Sequence, residues 1–171
     1  VKESSGTHFR CITFLDSKIG FSGNLGKGAF DNTTDTVPLF VTKDAGNTWT
    51  PINPAAGSNM KGLCAMFKVN DSTLYTAGRV RGPAFLMKTK NKGQTWETID
   101  LTPFGLGAAM DLYFTHPDTG FVVGMNKKPY SSGVYAGKII KTSDGGKTWI
   151  TVLPGSDVLT YFWKITFPSK M

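Results

Sequence analysis

One eight-residue phrase occurs three times in this chain, and its repetition constrains the fold more than any other feature. The copies share Thr, Gly, Thr and Trp in the same order and span residues 42–49, 89–96 and 142–149. Two copies carry an aspartate in the third position, Asp44 and Asp144, and the other carries Asn91. A phrase that recurs about every 50 residues indicates a repeat protein whose unit is one small supersecondary structure.

A second phrase accompanies the first and begins each unit with a phenylalanine. Its copies begin at the following positions: Phe14, Phe67, Phe114 and Phe167. The step from each phrase Trp to the next of these phenylalanines is always 18 residues, whereas the step from each Phe to its Trp is 35, 29 and 35. One half of the unit is therefore constant in length, and the other half contains a variable loop.

Each unit is predicted to contain four short strands, named A to D, because apolar runs of strand length alternate with Gly, Asp and Asn turns. The predicted blades span about 9–53, 62–100 and 109–153, with the start of a fourth at 162–171. Strand A of the third unit is predicted at residues 111–114, and no segment has helical periodicity.

Four-stranded units repeated around an axis form a β-propeller. The predicted fold class is therefore all-β, and residues 1–171 are interpreted as one partial propeller with about three blades and the first strand of a fourth. Closed propellers have about four to eight blades, so the remaining blades are expected as a partner if the chain is a fragment. A piece standing alone would expose two blade faces.

The eight-residue phrase is predicted to form the turn between strands C and D. A short acidic side chain such as Asp44 accepts hydrogen bonds from its own turn, and Gly46 supplies the positive φ. Thr48 adds a hydroxyl, and Trp49 adds an apolar wedge with one N–H donor. The corresponding residues of the other turns are Asn91, Gly93, Thr95, Trp96, Asp144, Gly146, Thr148 and Trp149. This chemistry favours a structural role for all three turns over a metal or substrate role.

Strand A has one apolar face and one variable face. The apolar pairs are Ile12 and Phe14, Ala65 and Phe67, Leu112 and Phe114, and Ile165 and Phe167. This face is expected to pack one blade on the next. The variable positions, expected to face a central channel in part, are Cys11, Cys64, Asp111 and Lys164. Since equivalent side chains of a rotating repeat point the same way, both cysteines are expected to be buried free thiols without a disulfide.

The composition restricts the classes of partner. The net charge of +7 favours acidic partners in a general way. Nucleic acid is not expected, because the cations are scattered and no array of base-stacking aromatics is present. No apolar run has the length of a membrane span, so membrane insertion is not expected. The opening residues Val1 to Glu3 resemble neither an initiator start nor a signal peptide, which leaves open a missing N-terminal segment.

The phrase Ser/Thr-x-Asp-x-Gly-x-Thr-Trp resembles the Asp-box, or BNR repeat, of sialidases, xyloglucan-cleaving glycosidases and sortilin-type receptors. Its alternation with the phrase Phe-x-Asp, Gly-Phe-x-x-Gly looks like the repeat of photosystem II assembly and stability factors. The resemblance extends from about Cys11 to Phe167 and departs from the pattern at Asn91. It implies a propeller that serves as a non-enzymatic assembly platform, and the habits of these families imply an extracellular, cell-surface or periplasmic location.

A catalytic site can be sought residue by residue. A sialidase-like site needs three arginines from different blades, but the arginines are Arg10, Arg79 and Arg81, two of which share a loop. A glycosidase needs two catalytic carboxylates at a defined separation, and the candidates for such a pair are Asp111 and Asp157. Roles as polar strand-end and turn residues are favoured for both. The two histidines lack further metal ligands nearby in sequence. We therefore predict no catalytic residue, metal or cofactor in this chain.

The loops between strands B and C vary in length and gather with the D–A loops at the end opposite the phrase turns. Loops on a rigid scaffold commonly carry function. The candidate binding residues are Arg79, Arg81, Lys127, Lys128 and Tyr130, with Lys27 beside them. Cations and an aromatic ring at one rim suit an acidic peptide, a carboxylate terminus, or a sulfated or carboxylated glycan.

The sequence therefore favours a non-catalytic binding or assembly platform for a protein or acidic glycan ligand. Three alternatives stay open. The chain is a fragment of an Asp-box glycoside hydrolase of the sialidase or xyloglucanase type, a repeat module of a cell-surface adhesin, or a propeller whose loop tips are solvated and bind nothing.

Overall fold

Three four-stranded antiparallel sheets make up the computed structural model, which describes residues 8–29, 34–53, 62–126, 136–154 and 161–168. We call the sheets blades 1, 2 and 3. Blade 1 consists of β1 (Phe9–Phe14), β2 (Gly20–Asn24), β3 (Leu39–Thr42) and β4 (Thr50–Ile52). Blade 2 consists of β5 (Ala65–Lys68), β6 (Leu74–Gly78), β7 (Phe85–Thr89) and β8 (Glu97–Asp100). Blade 3 consists of β9 (Leu106–His116), β10 (Thr119–Asn126), β11 (Gly137–Thr142) and β12 (Ile150–Leu153). Strands that are consecutive in sequence are neighbours in each sheet.

Burial changes from the middle to the outer edge of each blade. Every residue of β2, β6 and β7 is buried, whereas no residue of the outermost strands β4, β8 and β12 is buried. Alternating polar and apolar residues would indicate a sheet with one solvent-exposed face, but these middle strands are mostly apolar or small, and their polar residues Asn24 and Lys88 are buried too. Such strands are buried on both faces, which is what stacking of blades requires.

Two aromatic cores hold the blades together. Between blades 1 and 2, the ring of Phe21 on β2 meets the edge of Trp96 with 5.6 Å between ring centres. Between blades 2 and 3, Tyr75 on β6 stacks on Phe114 at 4.0 Å, and Trp149 lies in the same buried cluster. Phe21 in blade 1 and Tyr75 in blade 2 hold the same position in strand B. Each of them thus contacts an aromatic residue of the following blade.

The apolar face of strand A is covered only where a preceding blade is present. Leu112 and Phe114 are 2% and 4% exposed, as expected for a face that packs on a neighbouring blade. The equivalent residues of blade 1, Ile12 and Phe14, are 60% and 38% exposed. Within the described residues no blade packs against this face of blade 1, in line with the expectation that a piece standing alone exposes its outer blade faces.

Strand A of blade 3 begins earlier than predicted. β9 starts at Leu106 rather than at Asp111 and continues to pair with β10 through register shifts, one of them between Val123 and Gly124. A Cβ atom on Gly124 would lie 2.0 Å from the carbonyl oxygen of Ala108, so only glycine permits this close approach. A short 3-10 helix at Thr102–Phe104 precedes β9, which the sequence did not predict.

The fourth unit is present as a packed segment rather than as a strand. Residues 161–168 have no strand assignment. The ring of Phe167 nevertheless lies 5.1 Å from the rings of both Tyr113 and Phe121. Phe167 therefore occupies a place on blade 3 similar to the place of Phe114 on blade 2.

Both cysteines are free thiols, as expected. Cys64 is buried, and burial raises the pKa of its thiol to about 12. Cys11 is only half-buried rather than buried, because the face of blade 1 around it is open. Burial of the sulfur atom still raises the pKa of the Cys11 thiol, so neither thiol is ionised near neutral pH.

Candidate functional site

The three phrase turns, which we call the box turns (residues 42–49, 89–96 and 142–149), are closed by side-chain hydrogen bonds. In blade 1, Asp44 Oδ1 accepts the N–H of Thr48 at 2.8 Å, and Oδ2 accepts the Thr48 hydroxyl at 2.5 Å. Trp49 Nε1 donates to the carbonyl of Gly46 at 3.1 Å. Gly46 has a φ of 92°. These contacts account for the third, fifth, seventh and eighth positions of the phrase.

The first threonine of the phrase is the centre of each box turn, and our candidate residues omitted it. The hydroxyl of Thr42 donates to Asp44 Oδ1 at 2.8 Å and accepts the N–H groups of Asp44 and Gly46 at 3.3 and 2.8 Å. Thr89 and Thr142 make the same contacts in their turns. The signal was present, because this threonine is identical in all three copies.

The asparagine box turn keeps the geometry with one bond changed. Asn91 Oδ1 accepts the N–H of Thr95 at 2.9 Å, as Asp44 does for Thr48. The Asn91 amide Nδ2, however, donates to the Thr95 hydroxyl at 2.8 Å, where an aspartate would accept. A neutral side chain therefore closes the same turn without a charge.

Hydrogen bonds from threonine stabilise the ionised form of the turn aspartates. The hydroxyl and N–H of Thr48 lower the pKa of Asp44 from 3.8 to about 2. Thr148 likewise lowers the pKa of Asp144. Because folding lowers these pKa values, the stability that the carboxylates contribute is present above about pH 3.8 and is lost as the pH falls towards 2.

We expect Asp144→Asn to flatten the acid limb of the stability profile and Asn91→Asp to steepen it. The new carboxylate of Asn91→Asp would accept from Thr95 and would add stability at neutral pH that disappears in acid. Urea unfolding from neutral pH down to about pH 2 measures both effects. Equal slopes for wild type and both variants would contradict the ionised role of the box aspartates.

The loop face of blades 1 and 2 brings together three of the predicted binding residues. Arg79 Nη1 and Nη2 donate to the carbonyls of Lys27 and Gly28 at 3.4 and 3.5 Å. Arg81 follows on the same loop and is exposed. Burial is the main cause of the lowered pKa of Arg79, and the positive charge of Arg81 lowers this pKa further. The other predicted residues, Lys127, Lys128 and Tyr130, lie outside the described residues.

A buried polar pair shapes the blade 1 part of this loop face. Asn24 is fully buried, and its Oδ1 accepts the N–H of Gly26 at 2.9 Å. Its Nδ2 donates to the carbonyl of Val37 at 3.1 Å and lies 3.4 Å from Asp35 Oδ2. The N–H of Lys27 donates to the carbonyl of Asp35 at 2.7 Å. This network presents the Lys27 carbonyl to Arg79, and nothing in the sequence pattern singled it out.

The carboxylate candidates do not form a described pair. Asp111 is 5% exposed; its Oδ2 accepts the N–H of Ile165 at 2.9 Å and lies 3.4 Å from Lys164 Nζ. Asp157 lies outside the described residues. Within the described ranges, no group of three or more His, Cys, Asp or Glu side chains is placed to hold a metal ion. No helix in those ranges is long and apolar enough to cross a membrane.

An open groove of about 650 Å³ lies on the uncovered side of blade 1. Its walls include Phe9, Ile12, Phe40 and Trp49, with the charged residue Arg10 also lining it. The guanidinium carbon of Arg10 lies 6.0 Å from the ring centre of Trp163. The groove belongs to the face that, in blades 2 and 3, is covered by the preceding blade.

The fold is that of a β-propeller. A structure of YCF48 bound to a D1 peptide is similar over 88% of this chain and 42% of that chain, with a TM-score of 0.61 and 20% identity. YCF48 from Cyanidioschyzon merolae is similar over 88% and 41%, with a TM-score of 0.63 and 16% identity. A GH74 xyloglucanase from Xanthomonas campestris is similar over 86% and 22%, with a TM-score of 0.57 and 17% identity.

These likenesses confirm the predicted fold class, an all-β partial propeller. The identities are low, so the likenesses concern the fold alone. The chain spans about two-fifths of the length of the YCF48 chains. No protein-family model matches the sequence, and no curated protein matches it.

Proposed function

We propose that the chain is a non-catalytic binding or assembly platform that takes a protein ligand on the loop face formed by the B–C and D–A loops. The observation that carries this proposal is the placement of Arg79 across the loops of blades 1 and 2. Its Nε is buried and has no hydrogen-bond acceptor among the described residues. A ligand cannot reach the enclosed Nε, but a guanidinium has five N–H donors, and the exposed Nη hydrogens that Lys27 and Gly28 do not use remain for a ligand oxygen.

A carboxylate is the chemical group that fits this face. Arginine binds carboxylates through paired, charge-assisted hydrogen bonds. Burial lowers the pKa of Arg79 and an anion beside it would raise that pKa again, while the guanidinium stays charged in both cases. Lys27 and Arg81 add positive charge close by, which suits an acidic peptide or a peptide C-terminus. An acidic glycan would offer the same groups and is the second ligand class.

The similarity to a propeller solved with a peptide bound supports a peptide ligand. The proposal includes the Asp-box assignment of the three box turns and the export of the protein, both inferred from the families that the repeat resembles. Fusing a fluorescent protein to the product of the full gene and locating the fusion by cell fractionation would test the export.

We expect Arg81→Gln and Lys27→Gln each to weaken the binding of acidic peptides about tenfold, because each removes a charge from the rim of the loop face. Fluorescence anisotropy with a panel of acidic peptides, compared with their C-terminally amidated forms and with heparin fragments, measures the effect. Arg10→Gln removes the same charge from the groove side of blade 1 and should leave the affinity unchanged. An equal loss of affinity in all three variants would mean that the peptides are attracted by the overall positive charge and not by a site on the loop face.

A glycoside hydrolase fragment is the second candidate function, because GH74 enzymes share the fold. The buried carboxylate of Asp111 is the candidate acid among the described residues. Hydrolysis of xyloglucan by the chain, abolished by Asp111→Asn, would replace the platform proposal with this one. Peptide binding without hydrolysis would support the platform.

A further inference from the structure

The turn between β5 and β6 of blade 2 contains the sequence Asn70-Asp71-Ser72. An asparagine followed two positions later by serine or threonine, with any residue except proline between them, is the acceptor sequence for N-linked glycans. The chain has this pattern once more, at residues 32–34, where Asn32 lies outside the described residues. The copy in blade 2 can therefore be judged by its geometry.

The side chain of Asn70 shapes this turn through its oxygen atom. Asn70 Oδ1 accepts the N–H groups of Ser72 and Thr73 at 2.9 and 2.8 Å, and it accepts the Ser72 hydroxyl at 3.0 Å. Among the described residues, the amide nitrogen Nδ2 has no hydrogen-bond acceptor. The atom that would carry a glycan is thus not needed to hold the turn.

The equivalent turn of blade 1 shows that an asparagine is not required at this place. Asp16 Oδ1 accepts the N–H groups of Lys18 and Ile19 at 2.9 and 2.7 Å, which is the same pattern of bonds. The turn therefore needs an acceptor oxygen, and a carboxylate supplies it equally well. Blade 2 adds an amide nitrogen and a hydroxyl two positions later, and the turn itself requires neither of them.

The turn is accessible and firmly anchored. Asn70 and Asp71 are exposed, and the Asp71 side chain keeps 77% exposure although Lys68 Nζ lies 2.7 Å from its carboxylate. The carbonyl of Ser72 accepts the N–H of Lys92, in the box turn of the same blade, at 3.0 Å. Blade 2 packs against a blade on each side, so the exposure of this turn does not come from an uncovered blade face.

We propose that Asn70 is a site of N-glycosylation in the exported protein, an inference that rests on the export proposed above. The donor is an oligosaccharide joined to a lipid through pyrophosphate. Nδ2 of Asn70 attacks the anomeric carbon of the first sugar, so a C–N bond forms as the C–O bond to the lipid pyrophosphate breaks. The amide nitrogen loses one proton, and the lipid pyrophosphate leaves with the bonding electrons.

A glycan on Asn70 leaves the loop face free. The β5–β6 turn precedes strand β6 (Leu74–Gly78), whereas Arg79 and Arg81 follow that strand at its other end. Five residues of extended strand separate the two ends by roughly 17 Å. A bulky, solubilising glycan therefore covers the end of blade 2 that carries the box turn. We expect the affinity for acidic peptides to be the same before and after the glycan is removed.

Secretion of the chain from a eukaryotic host, behind a cleavable signal peptide, tests the site without depending on natural export. The variant Asn32→Gln serves as the background, because it removes the other acceptor sequence. We expect a chain of increased mass whose glycan peptide N-glycosidase removes, leaving Asn70 converted to aspartate. Asn47 is exposed as well but is followed two positions later by Trp49, so it should stay unmodified.

Three variants of the turn separate glycosylation from folding. Asn70→Asp keeps the acceptor oxygen, as Asp16 does in blade 1, so the fold should be unchanged while the glycan is lost completely. Ser72→Thr keeps the hydroxyl and should keep the glycan, whereas Ser72→Ala should abolish it. A folded, secreted chain with Asn70 unmodified, or a glycan that persists in Asn70→Asp, would overturn the proposal and leave peptide binding untouched. A glycosylated chain that binds no acidic peptide would instead refute the proposed function.

Discussion

Phe114→Ala should lower the free energy of unfolding by about 3 kcal/mol or more, the largest effect that we expect from one substitution. Phe114 is 4% exposed and stacks on Tyr75 at 4.0 Å, so its ring joins blade 3 to blade 2. Removing the ring loses its burial and leaves a cavity between two sheets that other contacts prevent from closing. Urea unfolding followed by tryptophan fluorescence measures the loss.

The chain supplies a matched control in Phe14, which holds the same place in the repeat. Phe14 is 38% exposed; its ring lies over Gly20 and meets Trp49 of the same blade edge to face, with 6.2 Å between ring centres. We expect Phe14→Ala to lower the free energy of unfolding by about 1 kcal/mol. The effect is smaller because the Phe14 ring buries less apolar surface on folding than the Phe114 ring does. Equal losses for the two variants would contradict the view that packing between blades, rather than the repeat motif itself, gives this phenylalanine its effect.

Repetition made most of the fold predictable from the sequence. Three copies of a turn phrase at nearly constant spacing predicted the propeller, and the four-stranded sheets follow from it. Each phrase position has a local reason within eight residues, so no knowledge of distant contacts was needed. The exposure of Ile12 depends on which blades are present rather than on the repeat, and it agrees with the expectation that a piece standing alone exposes two blade faces.

The loop face was only partly predictable. The cations of Lys27, Arg79 and Arg81 were found because basic residues in variable loops are visible in a single sequence. The buried Asn24 that shapes the loop was missed, since its partners Gly26 and Val37 are reached through backbone groups that leave no pattern. Interactions that use the main chain of irregular loops have no residue signature, and such contacts position Arg79.

Thr142→Val should lower the free energy of unfolding by about 2 kcal/mol, because it leaves buried backbone donors without an acceptor. The Thr142 hydroxyl accepts the N–H groups of Asp144 and Gly146 at 3.3 and 2.9 Å. Gly146 is buried against blade 2, with its site facing Leu86 and Ile99, so water has little access to the freed N–H. Valine has nearly the shape of threonine, and the loss therefore reports the hydroxyl alone.

Two further variants separate the hydroxyl from its surroundings. Thr142→Ser keeps the hydroxyl and should recover most of the stability that Thr142→Val loses. Thr42→Val removes the same hydroxyl from blade 1, where Gly46 is only half-buried and water can reach its N–H, so we expect about half the cost. Chemical unfolding of the three variants side by side decides the matter. If Thr42→Val lowered the free energy of unfolding as much as Thr142→Val, the threonine would act through its own turn alone. The expected difference would mean that the box turn also contributes to packing between neighbouring blades.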